Sequence, residues 1–186
     1  MRKRDRDFVA LFNALWYKDF PIVRGHEHLG KRALWTTHIS SVIKQCADLM
    51  GFFTCFETGN RTDAVIKKAS DNIWAKVEWE WKELSDEKIN ELDKLASAAK
   101  EADLMVFVGY SHKNKYANNK KKIHDSWKGI KTPLIVFLIT FDKREQKIRK
   151  FDKLETFLFK EGKIKMIKRQ EAYPWRVEET KWSQAK

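Results

Sequence analysis

Ile73-Trp74-Ala75-Lys76-Val77-Glu78-Trp79-Glu80-Trp81-Lys82 is the stretch whose reading decides the fold. In a strand, successive side chains point to opposite faces, so Ala75, Val77, Trp79 and Trp81 share one face and Lys76, Glu78, Glu80 and Lys82 the other. One face belongs to a core; the other is a row of charge. Covering such a row with protein is costly unless the charges are solvated, paired or holding a metal, and this strand is therefore where chemistry is expected.

Two more strand-like runs, 52–57 and 62–68, come just before it. The separating segments Thr58-Gly59-Asn60-Arg61 and Ser70-Asp71-Asn72 have turn composition. Links this short predict an antiparallel three-strand meander. Pairing across the second turn brings Asp63 beside the end of the next strand that carries Glu80 and Lys82. Two carboxylates and an ammonium then converge, the set that phosphodiester hydrolysis assisted by a hard cation requires.

Helices frame the meander. Ile39, Val42, Ile43, Cys46 and Leu49 recur at three- and four-residue spacing, with Thr36 or Thr37 as cap and Gly51 as stop. Phe8, Leu11, Phe12, Leu15 and Trp16 predict an earlier helix ending at Phe20-Pro21, and 21–33 reads as loop. After the meander, a helix is expected over 86–102, capped by Ser85, with Ile89, Leu92, Leu95 and Ala99 inward. Segments 104–110 and 134–141 are nearly continuous apolar runs, as in strands covered on both faces, and the basic segment 117–128 between them is expected to be helical. Residues 151–167 read either as a helix followed by a strand or as two strands turning at Glu161-Gly162. The order helix, three strands, helix, strand, helix, strand predicts an α/β fold: a mixed sheet flanked by helices.

Thr62-Asp63, followed after a hairpin by Glu80-Trp81-Lys82, resembles the D…(D/E)xK signature of the PD-(D/E)xK nucleases, and the order of elements over 36–141 is similar to the restriction-endonuclease-like core. Two departures stand out: Thr62 replaces the family's proline, and Glu78-Trp79-Glu80 offers a second, ExE register. Either register keeps Glu80. The resemblance implies that Asp63 and Glu80 bind Mg²⁺, with Mn²⁺ as a substitute, that the segment around Val77 and Trp81 lends a backbone carbonyl, and that Lys82 orients or activates the attacking water. Glu78 is then a neighbour or a substitute. Family members often add a carboxylate from the helix before the first strand, where this chain offers Gln45 and Asp48; Glu57 is another supporting candidate.

Composition agrees with a chain that docks on phosphates. Of 186 residues, 38 are Lys or Arg against 26 Asp or Glu, a net charge of +12. Length favours a single domain over 1–186 with its core at about 34–142. No apolar run reaches the roughly 20 residues of a membrane span, no signal-peptide cleavage pattern follows the charged N-terminus, and the two cysteines, Cys46 and Cys55, match no zinc or disulfide framework. A cytoplasmic location is expected.

His26-Glu27-His28 lacks identifiable third and fourth ligands for a transition metal, and His38 and His112 suit helix packing and a loop-end cap as well as a cleft. Lys113, Lys115, Lys120, Lys121 and Lys122 form the densest basic stretch and suit sequence-independent phosphate contact. Most of the eight tryptophans are expected in the core. The sequence thus points to a Mg²⁺-dependent DNA endonuclease of restriction or repair type, RNA being the lesser substrate, with a homodimer favoured if both strands are cut. The alternatives are a non-catalytic nucleic-acid-binding module on the same fold and a protein-interaction domain whose charge is incidental.

Overall fold

A computed structural model describes residues 1–58, 62–70, 72–84, 90–143 and 148–183. The meander forms as its turns predict: β1 (Phe53–Thr58), β2 (Thr62–Lys67) and β3 (Ile73–Glu83) are antiparallel neighbours. The connection through α3 (Glu91–Ser97) leads to β4 (Leu104–His112), parallel to β3. A second crossover, through α4 (Tyr116–Trp127), leads to β5 (Leu134–Lys143), again parallel. Two further antiparallel strands, β6 (Arg149–Lys160) and β7 (Lys163–Glu171), complete a seven-stranded mixed sheet in sequence order.

The open question over 151–167 resolves as two strands. β6 is buried on both faces from Leu154 to Phe159, which erases the period-2 signal in the sequence. The turn between the strands places Glu161 and Gly162 at φ of 52° and 71°, the left-handed pair that matches hairpin twist.

The sheet separates two cores. On one face α1 (Lys3–Leu15) and α2 (Arg32–Leu49) bury Phe8, Phe12, Trp35, Ile39 and Ile43 against Ala64, Val77, Val106 and Phe137. On the other, α3 and α4 bury Leu92, Leu95, Ile123 and Trp127 against Met105, Phe107, Val136 and Leu138. β4 and β5 feed both cores, which is why their sequences are continuously apolar.

Helix boundaries differ from the sequence expectation. α1 begins five residues before Phe8, because Arg2 and Asp5 close its first turn with an ion pair. α2 begins at Arg32 rather than near Thr37, whose hydroxyl donates to the Ala33 carbonyl inside the helix instead of capping it. α3 starts at Glu91; Ser85 and the first turns expected from 86 lie outside the described residues. No described helix is long and apolar enough to cross a membrane.

Candidate active site

The register of β2 against β3 fixes which acid meets Asp63. Ala64 stands opposite Val77, so the next pair outward is Asp63 and Glu78. The backbone N–H of Trp79 donates to Asp63 Oδ2 at 2.7 Å, tying the carboxylate to β3 at that level. Glu78, not Glu80, is the acid across the ladder, and counting outward from the turn at 70–72 would have placed it within one residue.

Glu78 is 1% exposed, on the face covered by α3, beside Met105 and Phe107 in the neighbouring strand. Neither of its carboxylate oxygens accepts a hydrogen bond from a protein donor. Burial, then the adjacent Asp63 carboxylate, push its pKa up to about 8. Burial raises Asp63 as well, against the opposing pull of the Trp79 N–H. Two acids this close in a dry setting cannot both ionise cheaply, so the pair keeps one proton, carried by Glu78. Lys94, from α3, brings a positive charge to the pair, with Nζ 3.9 Å from Glu78 Oε2 and 3.5 Å from Glu91 Oε1.

This pair has a consequence for stability against pH. Glu78 holds its proton in the folded chain up to about pH 8, while in the unfolded chain it loses it near its ordinary 4.5. Between those values the folded state binds the extra proton, so stability falls as pH rises through the window and is level above it. Glu78→Gln is expected to flatten that decline and to be more stable than the parent at pH 8, with little difference below pH 4.5. Urea titrations across pH 4 to 9 measure it, and parallel curves for the two proteins would contradict the shared proton.

The other sequence-predicted residues stand apart from the pair. Glu80 lies half-exposed one step along the same face, its Oε1 accepting from Lys82 N at 2.8 Å. β3 carries two extra residues between Glu80, paired with Gly109, and Glu83, paired with Tyr110. Lys82 sits in that bulge and is exposed, and Trp81 is turned onto Tyr110 and Phe151 and covered by the Arg149 guanidinium. Arg149 also donates to the Trp81 carbonyl, which locks the bulge. Glu57, at φ 52°, is exposed. Gln45 is on the opposite side of the sheet, accepting from Lys18 and donating to Ser41. Lys94, on a short helix with no motif of its own, could not be found by reading the sequence.

The basic stretch is largely engaged within the protein. Lys113 pairs with Asp142 and Asp152, Lys115 lies 3.8 Å from Glu83, Lys120 covers the rings of Tyr116 and Phe157, Lys121 pairs with Asp125, and Lys122 donates to the Leu84 carbonyl. His38 is buried among Trp16, Phe20 and Trp35, and burial lowers its pKa to about 4. His112 Nδ1 accepts from Asn114 N and caps a short turn. Among the described residues no group of three or more His, Cys, Asp or Glu side chains is gathered as a metal cage. A cation at Asp63 and Glu78 would therefore keep water or substrate in its other positions, as Mg²⁺ commonly does.

The sequence matches no protein-family model and no curated protein. Solved structures similar to part of the chain include the YaeQ protein of Pseudomonas syringae, at 12% identity and a TM-score of 0.32 over 63% of this chain and 67% of that one. The YaeQ protein of Xanthomonas axonopodis pv. citri is similar at 8% identity and a TM-score of 0.26, over 64% and 70% of the two chains. At that distance neither bears on what this chain does.

Proposed function

We propose that this chain is a Mg²⁺-dependent phosphodiesterase that cuts DNA, on a restriction-endonuclease-like core, with Asp63 and Glu78 holding the cation. The observation that carries the reading is Glu78: two buried carboxylate oxygens without a protein donor, against a second carboxylate. A divalent cation relieves both the desolvation of the pair and its mutual repulsion. Mn²⁺ is expected to substitute, because it accepts the same oxygen ligands.

Bound there, the cation would lower the pKa of a water and offset phosphate charge. The chain's own part is positional. The Trp79 N–H fixes Asp63, the hydrophobic neighbours of Glu78 keep water from weakening its field, and Lys94, beside Glu78, would face the phosphate or the attacking water, the part that the family resemblance gives to Lys82. Glu80 occupies the third position of the ExE register, nearer solvent. DNA is the proposed substrate, RNA the lesser one, and a two-fold dimer would cut both strands.

A second reading draws on Lys94. Its ammonium already lies 3.9 Å from Glu78 and can neutralise the pair without a metal, as in a module that binds nucleic acid without cutting it. Supercoiled plasmid and linear single strands, each incubated with Mg²⁺, Mn²⁺ or chelator, separate the two readings. Metal-dependent cutting is expected; DNA that is retarded on a gel but never cut would instead establish the binding module.

A further inference from the structure

Phe56 and Trp79 stand outside the aromatic network of the protein. Trp16, Trp35, Trp74, Trp81 and Trp175 each touch another ring. Among the described residues, Phe56 and Trp79 make no ring-to-ring contact. Both belong to the α2 face of the sheet: Phe56 is paired with Ala64, Ala64 with Val77, and Trp79 follows Val77 by two. Phe56 is 40% exposed, and Trp79 is half-buried.

Together with Thr36 and Ser40 from the first turns of α2, and with Glu57 and Asp63, the two rings line an open hollow of about 290 Å³. That is close to the roughly 300 Å³ at which small-molecule sites begin, room for one flat ring system. The lining carries groups that suit a nucleobase edge. No described protein group accepts from the Trp79 indole N–H or bonds the Thr36 hydroxyl. The Ser40 hydroxyl donates to the Thr37 carbonyl and retains its lone pairs. Glu57 can accept from an exocyclic amine.

Resting on the reading that this chain acts on DNA, we propose that this hollow, on the α2 side of the sheet, takes one unstacked base of the bound strand. The substrate class is then DNA with a single-stranded stretch, since a paired and stacked base cannot enter. Stacking on an aromatic side chain tolerates any base, which predicts weak sequence preference.

The test measures binding apart from cutting. The full chain, in chelator, is titrated into a fluorescein-labelled mixed-sequence single strand and into a blunt hairpin duplex of equal nucleotide number, with anisotropy as readout. The wild type is expected to favour the single strand. Phe56→Ala is expected to weaken that complex by between about fivefold and a hundredfold, leaving the duplex affinity unchanged, and Phe56→Trp to restore it. Single-strand affinity unaltered in Phe56→Ala, a wild type that prefers the duplex, or one that binds neither would each overturn the proposal. Failure of the nuclease reading looks different: no cutting by the wild type in Mg²⁺, with the single-strand preference intact in chelator.

Discussion

Asp63→Asn is expected to remove metal-dependent cutting of DNA by a factor of about a hundred or more while leaving the protein folded. The substitution keeps size and shape, and the amide oxygen can still accept from Trp79 N, the bond that spans 2.7 Å in the parent. What disappears is one of two negative charges at the proposed cation site. Stabilisation of transition-state charge by a bound cation amounts to several kcal/mol, and about 2.7 kcal/mol is a hundredfold in rate. Lys94→Ala is expected to cost more activity than Lys82→Ala, because Lys94 approaches Glu78 whereas Lys82 sits exposed in the β3 bulge. Initial rates on labelled DNA, with thermal melts as the folding control, check the series. Equal losses in the two lysine variants would return Lys82 to the site.

The second large effect concerns the fold. Phe12 is fully buried between α1 and the sheet, its ring stacked on Phe137 at a centroid distance of 3.6 Å and flanked by Trp16 and Phe8. Phe12→Ala opens a cavity that neighbours on a helix and a central strand cannot collapse into, and about 3–5 kcal/mol of stability should be lost. Against a total of roughly 5–15 kcal/mol for a domain, that brings the protein near its unfolding threshold. Phe53→Ala is the comparison: Phe53 is 63% exposed on the edge strand β1, and the change should stay within about 0.5 kcal/mol. Urea midpoints measure both, and a Phe12→Ala loss no larger than that of Phe53→Ala would contradict the packing described.

Much of this architecture can be read from alternation and turn chemistry. The alternating Lys76, Glu78 and Glu80 mark a strand with one apolar and one charged face, and the apolar runs at 104–110 and 134–141 mark the buried centre of the sheet; these patterns are set locally by side-chain period. What fails to show locally is decided by pairing. Which residue of β3 faces Asp63 depends on a register shift between Ile66 and Lys67, and the exposure of Lys82 on a bulge between Glu80 and Glu83; neither leaves a mark in composition. The strands β6 and β7 are obscured because Leu154 to Phe159 are buried on both sides, and only the Glu161-Gly162 turn betrays them. The lysines of 113–122 look like a free basic patch because their partners, Asp142, Asp152, Glu83 and the Leu84 carbonyl, are distant in sequence.

If Asp63 and Glu78 form a divalent-cation site, calorimetry of Mg²⁺ binding near pH 7 will show it. Because Glu78 keeps its proton up to about pH 8 in the folded chain, binding must expel that proton, and the measured heat must change with the ionisation enthalpy of the buffer. The expected result is saturable binding with proton release in the wild type and loss of the release in Glu78→Gln. No binding at millimolar Mg²⁺, or the same proton release in Glu78→Gln, would contradict the account.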